Sequence, residues 1–134
     1  MIYFLDTNIC IRILTGSSQN VIDRLEAIDL DDVMLPSVVA AELVYGAYKS
    51  AKRDDNLTKI REFINQFGMA GIDSSVIEFY GRIRSDLERK GLPIGANDYF
   101  IAAITQANNG ILVTNNTREF SRIAGLALED WTID

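Results

Sequence analysis

Ile2-Tyr3-Phe4-Leu5-Asp6-Thr7-Asn8 is an apolar run that ends on a carboxylate. Four consecutive apolar residues, two of them aromatic, read as a short buried strand, with Asp6 at its carboxyl end. Similar short runs follow at Val33–Leu35, between Gly68 and Gly71, at Ile111–Val113, and near Leu126–Leu128. The intervals between them carry helical spacing. Asn8–Leu14 is stopped by Gly16-Ser17-Ser18, and Gln19–Ile28 places Val21, Ile22, Leu25 and Ile28 on one face. Asp29–Asp32 is an acidic turn. Pro36-Ser37 opens a helix through about Ala51, with Ser37 as the expected N-cap. Asp54–Phe67 turns Leu57, Ile60, Phe63, Ile64 and Phe67 inward. Ser75-Val76-Ile77-Glu78 has the capping-box pattern for a helix through about Lys90. Ala96–Asn109 is a helix stopped by Asn109-Gly110, and Thr117–Ile123 is a short helical turn. Strands that alternate with helices pair in parallel, so the expected domain is a layered α/β structure. In open sheets of this kind ligands bind beyond the carboxyl ends of the strands.

Composition narrows the chemistry. The 134 residues contain no histidine and one cysteine, Cys10. Histidine-based triads, Cys-His pairs and a histidine general base are therefore excluded, as are zinc sites built on His or several Cys. One cysteine allows no internal disulfide, which fits a reducing compartment. Thirteen basic against nineteen acidic residues give a net charge of −6, which argues against sequence-blind coating of nucleic acid. No apolar run reaches the roughly 18–20 residues of a membrane span. The opening residues lack a basic region and meet Asp6 at once, unlike a signal peptide. The expectation is a single cytoplasmic domain over residues 1–134.

Charge is spread unevenly. Asp6 is the only charged side chain from Met1 to Ile11, Glu42 the only one from Val33 to Tyr48, and Asp98 the only one from Leu92 to Thr117. An ionised acid in a core-forming segment costs several kcal/mol unless it is paired or coordinates a cation. None of the three segments carries a Lys or Arg, so any partner must come from elsewhere in the chain. Each acid has a plain reading by itself. Asp6 suits an N-cap for the following helix, Asp98 suits the first turn of its own, and Glu42 is long enough to reach solvent. Read together, they suit convergence on one cleft that holds a divalent metal, since Mg²⁺ and Mn²⁺ prefer carboxylate oxygens and water. Thr114-Asn115-Asn116-Thr117-Arg118-Glu119 also follows a strand end. It reads either as a turn with an N-cap or as a further wall of that cleft, with Glu119 as a fourth carboxylate.

Leu5-Asp6-Thr7-Asn8, Ala41-Glu42-Leu43-Val44-Tyr45-Gly46, Ile94-Gly95-Ala96-Asn97-Asp98 and Val113-Thr114-Asn115-Asn116 occur in that order. Together they resemble the motifs of PIN-domain ribonucleases, and among these the VapC toxins of type II toxin–antitoxin systems. Thr114 through Phe120, Gly125-Leu126 and Glu129-Asp130-Trp131 resemble the C-terminal signature of that subgroup. The likeness covers nearly the whole chain. It implies a three-layer α/β/α sandwich with a small parallel sheet, and a Mg²⁺- or Mn²⁺-dependent endoribonuclease. It implies Asp6 and Asp98 as principal metal ligands, with Glu42 completing the acidic cluster. Thr7, Asn8, Thr114 and Arg118 become candidate substrate-binding residues. The resemblance further implies cleavage of structured RNA, often tRNA and in several cases initiator tRNA. It also implies inhibition by a VapB antitoxin whose tail covers the acidic groove, toxin dimers, and operator DNA bound through the antitoxin. Many members carry an acid where Asn116 stands. Asn keeps an oxygen but loses the charge, which makes Glu119 the candidate replacement and favours one tightly bound metal, with a second only alongside RNA.

Two other functions fit parts of the pattern. Asn116 is compatible with a catalytically weak binding module for RNA or protein. A phosphohydrolase or phosphoreceiver with Asp6 as nucleophile is disfavoured, because Asn8 follows Asp6 and no Lys follows Val113. Positive charge for RNA lies in Lys49, Lys52 and Arg53, in Arg82, Arg84, Arg89 and Lys90, and in Arg118 and Arg122. Tyr45, Tyr48, Tyr99 and Trp131 are available either to stack on bases or to fill a core.

Overall fold

A computed structural model describes residues 1–133. Five strands form one sheet: β1 (Tyr3–Leu5), β2 (Val33–Pro36), β3 (Gly68–Ala70), β4 (Ile111–Val113) and β5 (Ala127–Glu129). The helices are α1 (Thr7–Thr15), α2 (Gln19–Glu26), α3 (Ser37–Lys49), α4 (Arg53–Ile64), α5 (Ser74–Arg89), α6 (Ala96–Ala107) and α7 (Thr117–Phe120). All pairings are parallel and the strand order is β3-β2-β1-β4-β5. The order reverses between β1 and β4, where Tyr3, Phe4 and Leu5 face Ile111, Leu112 and Val113. Phe4 and Leu5 are neighbours on β1, so they point to opposite faces, yet neither is exposed; Leu112 and Val113 behave likewise. Both faces of the central strands are therefore covered by helices, as expected of three layers.

The helix starts differ from expectation at two places. Ser37 does not cap α3. It is already helical, and Pro36 occupies the cap position without a side-chain hydrogen bond, its φ of −59° leading β2 directly into the helix. Nor does Ser75 cap α5. The helix begins at Ser74, and Asp73 caps it by accepting from the Val76 N–H at 3.0 Å. A carboxylate is the better acceptor at a helix N-terminus, where it also meets the positive end of the dipole. α4 stops at Ile64, so Phe67 lies beyond it, but its ring still turns inward and meets Phe63 edge-on at 5.0 Å.

Two contacts fix the central strands and the chain end. A Cβ on Gly110 would stand 2.4 Å from the Phe4 ring, so β4 can enter beside β1 only with glycine there. Trp131 is fully buried against Tyr3 at 5.6 Å, and Tyr99 is 2% exposed, so both are core residues rather than stacking platforms. No helix among the described residues is long and apolar enough to cross a membrane.

Candidate active site

The site forms where β1 and β4 end side by side. Asp6 leaves β1 with its N–H donating to the Val113 carbonyl at 3.0 Å, which sets it next to Thr114. Asp6 is the N-cap of α1: its Oδ1 accepts from the Thr7 N–H at 2.8 Å. Its Oδ2 accepts from the Thr114 hydroxyl, also at 2.8 Å. Thr114 is fully buried, and its oxygen in turn accepts from the Asn116 N–H at 3.0 Å. The plain and the functional readings of Asp6 are thus compatible, because one carboxylate caps the helix and faces the cleft. Burial raises its pKa, and the hydrogen bonds from Thr114 and Thr7 pull it back down.

Asp98 enters from the first turn of α6. Its carboxylate lies over the helix start, where a Cβ on Gly95 would be 3.4 Å from Oδ2. Its pKa is pushed up to about 6, first by burial and then by the charges of Asp6, Glu119 and Glu42. Glu42 projects from α3 beside Thr7 and Asn97. Burial raises its pKa, Thr7 and Asn97 favour the ionised form, and Asp6 opposes it. Glu119, on α7, accepts from the Asn116 side-chain amide at 3.2 Å. Four acids from four helical segments and two strand ends therefore share one field. None forms a salt bridge among the described residues, so the alternative of distant Arg or Lys partners is not realised.

Asn8 and Arg118 are not brought into this set. Asn8 is exposed and accepts from Arg12 Nε one turn along α1 at 2.9 Å. Arg118 is exposed on α7, and its side chain makes no salt bridge or hydrogen bond among the described residues. Asn97 is a site residue that the sequence reading passed over, although it directly precedes Asp98. Beside the acids, a groove of about 380 Å³ runs over Thr7, Ile11, Glu42, Gly46, Lys59 and Ile60.

The PIN domain model matches residues 3–126. The chain belongs to the PIN-domain family. It is similar to Ribonuclease VapC2 of Rickettsia felis, with 40% identity over 98% of each chain. It is also similar to the tRNA(fMet)-specific endonuclease VapC of Shigella flexneri, with 38% identity over 97% of this chain and 98% of that one. Among solved structures, VapBC2 from Rickettsia felis bound to a DNA fragment from their promoter superposes with a TM-score of 0.91. That match has 39% identity and covers 98% of this chain and 99% of the other.

In this PIN domain the donor set is suited to a hard divalent cation. It consists of carboxylates with neutral amide and hydroxyl oxygens. Among the described residues no three acidic or thiol side chains close into a ready-made cage. Mg²⁺ does not require one, since it keeps several waters and is commonly held by one or two carboxylates plus a substrate phosphate. Two features fit such an ion. Burial first, and then neighbouring carboxylates, raise the pKa of Asp98 and Glu42, and the buried Thr7 hydroxyl makes no completed hydrogen bond.

Proposed function

We propose that this PIN domain is a VapC-type toxin, a metal-dependent endoribonuclease that hydrolyses phosphodiester bonds in tRNA. The observation that carries the proposal is the group of four mutually repelling carboxylates at the β1/β4 switch point, without a salt-bridge partner among the described residues. Asp6 and Asp98 would hold Mg²⁺ or Mn²⁺, with Glu42 completing the set. Such an ion supplies a water of lowered pKa and neutralises charge on the phosphate. The chain's own residues do the rest. Thr114 fixes the Asp6 carboxylate, and the Thr7 hydroxyl beside Glu42 donates to a phosphate oxygen. Glu42 orients water, and Asn116 holds Glu119 toward the cleft. With no histidine to serve a cyclising reaction, the products carry 5′-phosphate and 3′-hydroxyl ends.

The relatives give this proposal its biological setting. One curated relative is named for action on tRNA(fMet), and the solved neighbours include VapBC complexes on DNA. The expected partners are a VapB-type antitoxin whose tail covers the acidic groove, operator DNA reached through that antitoxin, and a second copy of the chain. The expected location is the cytoplasm. The neutral Asn116 supports the second reading, a binding module with weak catalysis. One assay separates the two: purified chain is incubated with total tRNA and Mn²⁺, and the product ends are mapped. The proposal expects discrete cuts that EDTA abolishes. Cuts with 2′,3′-cyclic phosphate ends, full activity in EDTA, or no cleavage would overturn it.

A further inference from the structure

The face of α3 that carries Glu42 continues beyond the acids. Tyr45 and Lys49 follow Glu42 at three and seven residues, so they share its side of the helix. Three residues rise by about 4.5 Å, which places Tyr45 one turn along α3 from Glu42. Tyr45 is 64% exposed, and Lys49 Nζ lies 5.9 Å from its ring centroid. Tyr48 and Arg53 repeat the pairing one step further, with the guanidinium 6.0 Å from a ring that is 49% exposed. Among the described residues Lys49, Lys52 and Arg53 make no salt bridge, although Arg53 Nε donates to the Tyr48 carbonyl at 3.2 Å and Asp54 and Asp55 follow it in α4. Lys59 lines the adjoining groove.

Gly46 adds a separate observation. It stands inside α3 and lines the groove that Thr7 and Glu42 also line. Glycine in a helix interior is destabilising relative to alanine, because it loses more backbone freedom on folding. Yet a Cβ there would meet no atom of this chain within 4 Å. Internal packing gives no reason for it. A bare patch of helix beside Glu42 does let an outside backbone approach closely.

We propose that Tyr45 and Lys49 form a nucleotide platform: Tyr45 stacks on an unpaired base next to the scissile phosphate, and Lys49 binds the phosphate that follows. The inference rests on the ribonuclease reading and adds how the substrate is held. Stacking needs an unpaired base, so the platform recognises a loop or single strand and not the interior of a duplex. Tyr48 and Arg53 extend the same track.

Equilibrium binding of a short fluorescent single-stranded RNA tests this, in EDTA so that the RNA stays intact, with RNA cleavage in Mn²⁺ measured in parallel on the same proteins. Tyr45→Ala should weaken binding about 5- to 150-fold, the range found when one base stack is removed. Tyr45→Phe, which keeps the ring, should stay close to wild type. Lys49→Ala should flatten the slope of log affinity against log salt by about 0.7, the value of one single-strand phosphate contact. Gly46→Leu should weaken binding without lowering thermal stability. A fully paired duplex should show none of these differences. Unchanged RNA affinity in Tyr45→Ala overturns the platform, as does a loss confined to self-association or antitoxin capture. Absence of cleavage by the wild type overturns the enzyme instead, whatever the binding shows.

Discussion

Two acids sit one strand apart at the same edge of the sheet. Asp6 follows β1 and Glu129 ends β5, on either side of β4. Glu129 accepts from Arg24 at 2.9 Å and from the Trp131 indole at 3.0 Å. Its charge is compensated, and it joins α2 to the C-terminal segment. Asp6 accepts only from the neutral Thr7 N–H and Thr114 hydroxyl, and its neighbours Asp98 and Glu42 are acids too. Position beyond a strand end is therefore not what marks the site. The mark is negative charge gathered where the chain provides no cation. Such a cluster is unfavourable in isolation and becomes favourable once a cation or a cation-bearing ligand enters.

Substitutions separate the two acids sharply. Asp6→Ala should lower RNA cleavage by on the order of 10³-fold, the equivalent of several kcal/mol of lost charge stabilisation, while circular dichroism shows the fold retained. Comparable cleavage by wild type and variant would remove Asp6 from the chemistry. Thr114→Val leaves Asp6 Oδ2 without its buried donor and the Asn116 N–H without its acceptor. A cost of about 1–3 kcal/mol is expected in denaturant unfolding, with weaker cleavage. Glu129→Ala should do the reverse of Asp6→Ala. It should lose about 1–3 kcal/mol of stability, chiefly because the buried Trp131 indole loses its acceptor while the half-exposed Arg24 pair adds little, and leave the cleavage rate nearly unchanged.

A further effect concerns pH. The Asp98 pKa is raised from 3.8 to about 6, so the folded state binds a proton more tightly than the unfolded chain does. Between those values the metal-free protein loses stability as pH rises, and above about 6 the deficit is complete. The thermal midpoint without metal should therefore fall between pH 4 and pH 6 relative to Asp98→Asn, which lacks this dependence. Saturating Mn²⁺ should offset the fall. Parallel curves for the two metal-free proteins would contradict the assignment.

Much of this was legible in the sequence, for physical reasons. Short apolar runs that end on Asp6 and Thr114 mark strand ends, and solitary acids in apolar segments stand out because ionised groups are costly there. What the sequence withheld was partnership across distance. Nothing local distinguishes Glu129, matched by Arg24 from 105 residues away, from Glu119, which has only Asn116. The hydroxyl caps that the pattern predicts at Ser37 and Ser75 give way to the geometry of Pro36 and to the carboxylate of Asp73. Asn8 belongs to the same motif as Asp6 but sits two positions further along the chain, about 200° round the helix axis, and faces Arg12. Asn97 needed the fold, because its relation to Glu42 joins α6 to α3.

If the uncompensated acids form a divalent-cation site, Mn²⁺ binding is coupled to stability, which thermal unfolding at neutral pH with and without Mn²⁺ reads out. Mn²⁺ should raise the midpoint of the wild type and of Glu129→Ala, and have little effect on an Asp6→Asn, Asp98→Asn double variant. Equal shifts in all three proteins, or none in the wild type, would contradict it.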